Sequence, residues 1–229
     1  MTYGNPSIYQ SLGVLQQQGV KEIVVLPLFP QYSAATTAAV LDKLNAALAE
    51  SKKGLGETPD IRFITDYHNN EKYISAVAQS LAEATENLDK QTKVLLSFHG
   101  LPQAQVDAGD PYANHCETSA KHIAKALKLE RHQWQMTYQS RFGPAPWLKP
   151  DTSGVLQSLP AQGIKKVIVA CPGFSVDCLE TLEEINDQNR EFFMEAGGEK
   201  FTYIPALNAG QSQLDLILNL VKSQIKEKT

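Results

Sequence analysis

Short runs of β-branched residues alternate along the chain with longer stretches in which apolar residues recur at helical spacing. The first pattern predicts buried strands, and the second predicts amphipathic helices. The predicted strands are 22–28, 61–65, 94–97, 133–138, 166–170 and 202–204, and the predicted helices are 7–18, 34–51, 70–88, 114–127, 154–159, 177–193 and 211–226. Such an alternation is typical of an α/β fold in which helices cover both faces of a parallel sheet.

The polar segment 86–91 is the best candidate for a boundary between two lobes, because it follows neither pattern. Four predicted strands come after it and suffice for a second lobe, whereas only two come before it. The opening residues, 1–6, have the composition of a turn with no strand in front of it. The pattern therefore predicts a first lobe that is incomplete.

Composition narrows the classes of function. Of 229 residues, 42% are hydrophobic and 20% are charged, as in ordinary globular chains. The formal net charge is -4 and no cluster of Lys and Arg is present, which disfavours nucleic-acid binding. No apolar run approaches the ~18 residues of a membrane-spanning helix, and the start lacks a signal-peptide pattern. We expect a cytoplasmic protein without a transmembrane segment.

Three loops that follow predicted strands carry unusual residues. In an open parallel sheet, ligands bind outside the carboxyl ends of the strands. The strand at 94–97 is followed by Phe-His-Gly-Leu-Pro at 98–102, which puts a histidine at the strand tip. The strand at 166–170 is followed by a Cys-Pro-Gly segment that reaches Glu180, and the first strand runs into Pro-Leu-Phe-Pro-Gln-Tyr-Ser at 27–33.

His99 and Glu180 are the candidates for chemistry. Taken singly, His99 is more often a hydrogen-bonded turn residue, and a helix N-terminus favours a glutamate such as Glu180 whatever its function. Brought to one crevice, they can hold a divalent metal transiently or transfer a proton. Glu180, Glu184, Asp187 and Glu191 recur at helical spacing. They form either a solvated outer face or a path for protons or cations, and the pattern leaves both open.

Other candidate sites are weaker. Gly-Leu-Gly at 54–56 lacks the third glycine and the following helix of a dinucleotide-binding loop. Four histidines have no partner at the spacing of a zinc site, so surface or capping roles suffice for them: His68, His115, His122 and His132. The three cysteines have neither disulfide-framework nor CxxC spacing, and buried thiols are favoured over a soft-metal site: Cys116, Cys171 and Cys178.

Six stretches, in this order, resemble ferrochelatase of the bacterial type, a class II chelatase. They are Met-Thr-Tyr-Gly-Asn-Pro from Met1, Leu-Pro-Leu-Phe-Pro-Gln-Tyr-Ser from Leu26, Ser-Phe-His-Gly-Leu-Pro from Ser97, Gly-Asp-Pro-Tyr from Gly109, Tyr-Gln-Ser-Arg-Phe-Gly-Pro-Ala-Pro-Trp-Leu from Tyr138, and Cys-Pro-Gly-Phe-Ser-Val-Asp-Cys-Leu-Glu-Thr-Leu-Glu-Glu-Ile from Cys171. The similarity runs through the whole chain, and it implies that the N-terminal portion of the family is missing.

The resemblance implies two Rossmann-like, chelatase-like lobes with parallel sheets flanked by helices and a porphyrin cleft between them. The N-terminal lobe, truncated, comprises 1–88 plus 206–229, and the C-terminal lobe comprises 89–205. His99 falls on the family's active-site histidine and Glu180 on its partner carboxylate, and both are expected to contact the metal. The other carried-over positions are the substrate-binding Tyr3, Tyr32 and Phe174, and Glu184 on a proton or metal path.

The activity that the resemblance implies is insertion of ferrous iron into a porphyrin, from protoporphyrin IX to protoheme, in heme biosynthesis. The expected partners are the porphyrin and ferrous iron, both as substrates, with no permanently bound cofactor. No iron-sulfur cluster is expected, because no cysteine follows Cys178. Peripheral contact with a membrane stays open, and no oligomeric state is predicted.

Three positions depart from the family pattern. Cys178 stands where many members have histidine, Gln188 where some have a third carboxylate, and Thr2 where some have arginine. Two alternatives therefore stay open beside ferrochelatase. One is another class II tetrapyrrole chelatase, such as a sirohydrochlorin cobalt or nickel chelatase, and the other is a truncated tetrapyrrole-binding protein without activity.

Overall fold

The strands form two parallel sheets in a computed structural model that describes residues 4–51 and 59–225. Strands β1 (Glu22–Val25) and β2 (Asp60–Phe63) pair with each other in the smaller sheet. The larger sheet contains β3 (Thr92–His99), β4 (Trp134–Gln139), β5 (Lys166–Ala170) and β6 (Lys200–Ile204). Their order is β4-β3-β5-β6, so β3 and β5 are the two central strands.

Eight α-helices lie around these sheets in the part of the chain that the structure describes. They are α1 (Ile8–Gln17), α2 (Ala39–Ser51), α3 (Glu71–Thr85), α4 (Gln103–Asp107), α5 (Tyr112–Ala126), α6 (Thr152–Ser158), α7 (Arg190–Glu195) and α8 (Gln211–Lys222). Two π-helical segments, Ala34–Ala38 and Glu180–Asn189, lead directly into α2 and α7. A 3₁₀ turn, Pro160–Gln162, follows α6.

Side-chain caps fix where several helices begin. Ser7 accepts a hydrogen bond from the backbone N–H of Gln10, whose side chain accepts one from Ser7 in return, so α1 starts with a capping box. Asn70 caps α3 and Asp151 caps α6 in the same way. The side chain of each accepts hydrogen bonds from backbone N–H groups that the first turn leaves without a partner.

The larger sheet is buried on both faces, because alternate side chains of β3 lie in different cores. Val94, Leu96 and Phe98 belong to a core shared with α3, α5 and α8, whereas Leu95 belongs to a core shared with β5, α6 and α7. Successive side chains of a strand point to opposite faces, so one strand supplies both cores. Helices therefore cover both faces of a parallel sheet, and the predicted α/β class is confirmed.

Helices α3 and α8 pack against each other and contribute to the core of the larger sheet. From α3, Tyr73 and Leu81 are buried in the cluster that contains Val94 and Leu96 of β3. From α8, Leu216 joins the same cluster. The smaller sheet has its own cluster of buried residues beneath α1 and α2.

All six predicted strands and all seven predicted helices are present, but several boundaries differ. Strand β1 ends at Val25 rather than at Leu28, because Pro27 and Pro30 lack the N–H that a sheet ladder needs. Helix α4 was not predicted. The π-helical segments were predicted as ordinary helix, because their apolar residues recur close to the 3.6-residue period of an α-helix. The Gly-Leu-Gly at 54–56 lies outside the described residues.

No helix within residues 4–51 and 59–225 is long and apolar enough to cross a membrane.

Candidate active site

The strand order of the larger sheet produces a crevice between the ends of β3 and β5. The chain passes from β3 to β4 on one side, and β5 lies on the other side of β3. Helix α5, on the connection from β3 to β4, packs on one face, while Phe193 of α7, on the connection from β5 to β6, packs on the opposite face. Connections that depart to opposite faces leave a gap at the carboxyl ends of the two strands, which is where ligands bind in such sheets.

His99 stands at this gap. It is the last residue of β3 and pairs in register with Gln139, the last residue of β4. Its Nδ1 atom lies 2.8 Å from the carbonyl oxygen of Gly100. A carbonyl oxygen only accepts hydrogen bonds, so Nδ1 carries the hydrogen and Nε2 of the neutral ring keeps its lone pair. His99 therefore has one nitrogen that can accept a proton or bind a metal ion.

Gly100 allows the backbone to turn tightly beside His99. Its N–H donates to the carbonyl oxygen of Gln139 at 2.8 Å. A Cβ atom at this position would lie 2.8 Å from that same oxygen and 3.1 Å from the Trp147 ring. Only glycine fits such an approach without displacing β4 or the tryptophan.

Glu180 begins the π-helical segment on the other side of the gap. Its carboxyl pKa is held below the ordinary value by a hydrogen bond from Cys178, by its own backbone N–H and by the charge of a protonated His99. Burial raises the pKa of the Cys178 thiol, and the neighbouring carboxylate raises it further, so the thiol remains a donor. Glu180 is thus a carboxylate that stays ionised at neutral pH and interacts electrostatically with His99.

Glu184 is fixed by the loop that follows β4. Its two carboxylate oxygens accept from the backbone N–H of Ser140 at 2.6 Å and from the Ser140 hydroxyl at 2.5 Å. Ser140 has φ of 63°, in the left-handed region that a serine rarely adopts. The two charge-assisted bonds hold this loop against the π-helical segment.

Gln139 connects these groups, and the sequence analysis missed it. Its side chain is 2% exposed and donates to the backbone carbonyl of Glu180 at 2.6 Å. Its Oε1 atom accepts from the hydroxyl of Ser97 at 2.9 Å and from the thiol of Cys171 at 3.4 Å. The glutamine directly follows a predicted strand, as His99 nearly does, so the strand-end rule could have identified it.

Asp177 anchors the segment between β5 and Glu180. Its carboxylate accepts from the hydroxyl of Tyr203 at 2.5 Å, from the side chain of Asn208 at 2.8 Å and from the hydroxyl of Thr181 at 3.0 Å. Burial opposes ionisation, but these hydrogen bonds and the one from the Ala206 N–H outweigh it, so the pKa of Asp177 is lowered. The segment that carries Glu180 is therefore tied to the loop after β6.

The stripe of four carboxylates divides into two pairs. Glu180 and Glu184 are half-buried toward the gap, whereas Asp187 and Glu191 are exposed to solvent. A π-helix bonds residue i to i+5 and turns more slowly than an α-helix, so the spacing counted from 3.6 residues per turn does not apply. The outer-face interpretation therefore applies to Asp187 and Glu191.

Of the residues predicted to line a pocket, Phe174 lies beside His99. The ring centroid of Phe174 is 6.4 Å from that of His99, with the planes at 46°. Tyr32 is half-buried in the loop after β1, and its backbone N–H donates to Nδ1 of His115 at 3.2 Å. Tyr3 lies outside the described residues.

Burial favours the protonated thiol form of two of the cysteines. Cys116 and Cys171 are buried, and burial raises the pKa of each thiol well above its ordinary value. A thiolate is the form that binds a soft metal, so both are poorly suited to that role.

Two histidines that appeared unrelated in the sequence meet in space. The rings of His68 and His115 stack in parallel, with centroids 3.7 Å apart and planes at 9°. Burial lowers the pKa of His115, and His68 lowers it further. Asp66 lies beside them, and its carboxylate accepts from Nδ1 of His68 at 2.6 Å. The spacing of these histidines in the sequence gave no indication of this contact, because sequence spacing does not report contacts between distant segments.

The sequence matches ferrochelatases, both as a family and as individual proteins. The family model described as Ferrochelatase matches residues 1–225. The chain is 49% identical to the ferrochelatase of Vibrio cholerae serotype O1 over 222 residues, covering 97% of this chain and 68% of that protein. It is 48% identical to the ferrochelatase of Yersinia enterocolitica over 225 residues, covering 98% of this chain and 69% of that protein.

A solved structure supports the fold. A multi-domain protein of Deinococcus radiodurans, described as structurally similar to chelatases with two additional novel domains, superimposes with a TM-score of 0.62. The match covers 97% of this chain and 45% of that protein, at 14% identity. At that identity the likeness concerns the chelatase-like architecture alone.

Proposed function

Because the chain belongs to the ferrochelatase family, we propose that it inserts ferrous iron into a porphyrin at the gap between β3 and β5, with His99 and Glu180 at the point of insertion. The reaction of the family converts protoporphyrin IX to protoheme in heme biosynthesis. One observation carries the assignment of residues. A histidine with a free nitrogen and an ionised glutamate interact across the point where ligands bind in a doubly wound sheet.

The chemistry requires that two protons leave as the metal enters. A free-base porphyrin has two N–H groups in a nearly flat ring, and its lone pairs are not aimed at an incoming ion. Binding the macrocycle in a bent form tilts those lone pairs outward, which is a form of complementarity to the transition state. Each proton must pass to a base near the ring before iron can occupy all four nitrogens.

His99 is the base that the site offers for this step. Its Nδ1 hydrogen is held by Gly100, so Nε2 is the atom that accepts the proton or contacts the iron. Glu180 stabilises the imidazolium that forms and can share the metal.

Glu184 is proposed as the next group on a proton or metal path. Gln139 donates to the carbonyl of Glu180 and lies 3.5 Å from Oε2 of Glu184, so one buried side chain contacts both glutamates. The hydrogen bonds from Ser140 occupy one lone pair on each oxygen of Glu184, which leaves others for a proton. The role of substrate binding is proposed for Phe174 beside His99, for Tyr32, and for Tyr3.

Two lobes are proposed, comprising 1–88 plus 206–229 and 89–205. The two separate sheets support this division, and the smaller sheet has a buried cluster of its own. Helices α3 and α8, assigned to the first lobe, also bury residues in the core of the larger sheet, so they would join the lobes. Cytoplasmic location, peripheral membrane contact and the lack of a resident cofactor or nucleic-acid partner stay predictions.

An anaerobic assay of the purified chain with ferrous iron and protoporphyrin IX tests the proposal. We expect the absorbance of the free porphyrin to be replaced by that of protoheme. Faster metallation of sirohydrochlorin would instead indicate another class II chelatase. A shifted porphyrin band without metallation would identify a binding protein, and either result would contradict the proposal.

Glu180→Gln is expected to lower the rate of iron insertion by roughly 100-fold with little change in porphyrin affinity. Glutamine keeps the shape of the side chain but removes the charge that stabilises a protonated His99. Porphyrin titration and the anaerobic assay measure the two quantities separately. Glu191→Gln, which changes an exposed carboxylate after the π-helical segment, is the matched control and should be neutral. An affinity that falls in parallel with the rate would assign Glu180 to binding instead.

A further inference from the structure

A second cluster of potential metal ligands lies outside the residues assigned to iron insertion. It consists of Asp66 and His68, in the loop between β2 and α3, and His115, in the first turn of α5. One potential ligand atom from each lies within 4.8 Å of the others. The three side chains are partly accessible, so an ion from solvent can reach them. None of them is proposed above as a contact of porphyrin or substrate iron.

His68 is held in a form that suits metal binding. Its Nδ1 donates to the carboxylate of Asp66 at 2.6 Å, which leaves Nε2 without a hydrogen in the neutral ring. A hydrogen bond from one ring nitrogen to a carboxylate is the usual way in which a metal-binding histidine is oriented. Asp66 can act in this way, or it can turn and bind the ion directly.

His115 also has a nitrogen without a hydrogen. Its Nδ1 accepts the backbone N–H of Tyr32 at 3.2 Å, a bond at the long end of the normal range. That lone pair is available to an ion that displaces the amide. The parallel ring stack keeps the two imidazoles adjacent, although both must tilt to direct their lone pairs at one point.

The ligand atoms are close enough for side-chain rotation to bring them to one ion. Bonds of about 2.0–2.1 Å at tetrahedral angles place neighbouring ligand atoms ~3.4 Å apart. The three atoms here lie no more than 4.8 Å from one another, so side-chain rotation can supply the remaining adjustment. The ligand chemistry, two imidazoles and a carboxylate, suits borderline metals such as zinc, ferrous iron or cobalt and not magnesium or calcium.

We propose that Asp66, His68 and His115 form a second binding site for a divalent transition metal, separate from His99 and Glu180. Binding at this site replaces the contact between His115 and the amide of Tyr32. The site does not depend on the reaction proposed above, because it requires neither porphyrin nor turnover.

Zinc binding to the full chain tests the proposal in a His99→Ala background, which weakens the first site. Equilibrium dialysis should give one bound Zn²⁺ per chain that millimolar Mg²⁺ does not displace. Adding His68→Gln or His115→Gln should weaken this binding by more than about 10-fold, because each removes a ligand. Adding His122→Ala, an exposed histidine of the same helix, should leave it unchanged.

Cobalt provides a second measurement that reports the ligands themselves. Co²⁺ bound to the His99→Ala protein should give a visible d–d absorption that Asp66→Asn alters and His68→Gln abolishes. Far-UV circular dichroism and the thermal midpoint must match those of the parent, and if His68→Gln unfolds, Asp66→Asn with His115→Gln replaces it. The proposal is overturned if the His99→Ala protein binds no zinc, or if the glutamine variants bind zinc as tightly as their parent.

Discussion

Replacing His99 with alanine is expected to abolish measurable iron insertion while the fold stays intact. General acid–base catalysis by a positioned side chain contributes roughly 10²- to 10⁴-fold, and no other histidine is proposed at the gap. The half-buried ring lies at a strand end, and the buried side chains of β3 precede it, so its loss should change the free energy of unfolding by about 1 kcal/mol or less. The anaerobic assay and thermal unfolding measure the two effects.

His132→Ala is the matched control for this variant. The side chain of His132 is 71% exposed beside Glu130, far from any strand end of the gap, and its removal should affect neither activity nor stability. The His99→Ala protein should still bind porphyrin, as judged by its Soret band. Retention of more than about a tenth of the parent rate would contradict a role in proton transfer, since that role predicts a larger loss.

The position of His99 could be predicted because two simple rules agree. A β-branched run predicts a buried strand, and parallel strands bring ligands to their carboxyl ends. The structure extends β3 as far as His99, so the histidine is the last residue of the strand rather than part of the loop. The gap at His99 forms because β5 lies next to β3 in the sheet. Strand order of this kind is not visible in a sequence pattern.

The contacts that support the site could not be predicted from the sequence, even where the strand-end rule could have pointed to the residue. Gln139 appears in the sequence as an ordinary polar residue, and its importance comes from contacts with Ser97, Cys171 and Glu180 on three other segments. The π-helical form of the segment after Glu180 was also hidden. Hydrogen bonds from i to i+5 leave no signature in composition.

The stacking of His68 and His115 is a second contact that the sequence pattern does not predict. His68 follows β2 and His115 begins α5, and local sequence assigns each to a surface role. They meet because the loops after β1 and β2 fold over the start of α5, where the amide of Tyr32 and the ring of His68 both contact His115. Contacts between segments that are distant in the chain are set by tertiary packing, which local periodicity does not encode.

Gln139→Leu is expected to reduce the rate of iron insertion by roughly 10- to 100-fold, because it removes the donor that holds the carbonyl of Glu180. A shift of about 1 Å in a catalytic group can account for a loss of that size. The buried partners that lose a hydrogen bond should also lower the free energy of unfolding by about 1–3 kcal/mol. Leucine matches glutamine approximately in volume, so a cavity does not explain the effect.

The kinetic pattern distinguishes a positioning role from simple destabilisation. Measured well below the thermal midpoint, kcat should fall while KM for porphyrin changes little, because the ring-binding residues are not touched. Gln135→Leu, on the same face of β4 and partly exposed, is the control and should leave kcat unchanged. If Gln139→Leu lowers stability but keeps the parent kcat at low temperature, Gln139 supports the fold alone, and the link from β4 to Glu180 does not contribute to iron insertion.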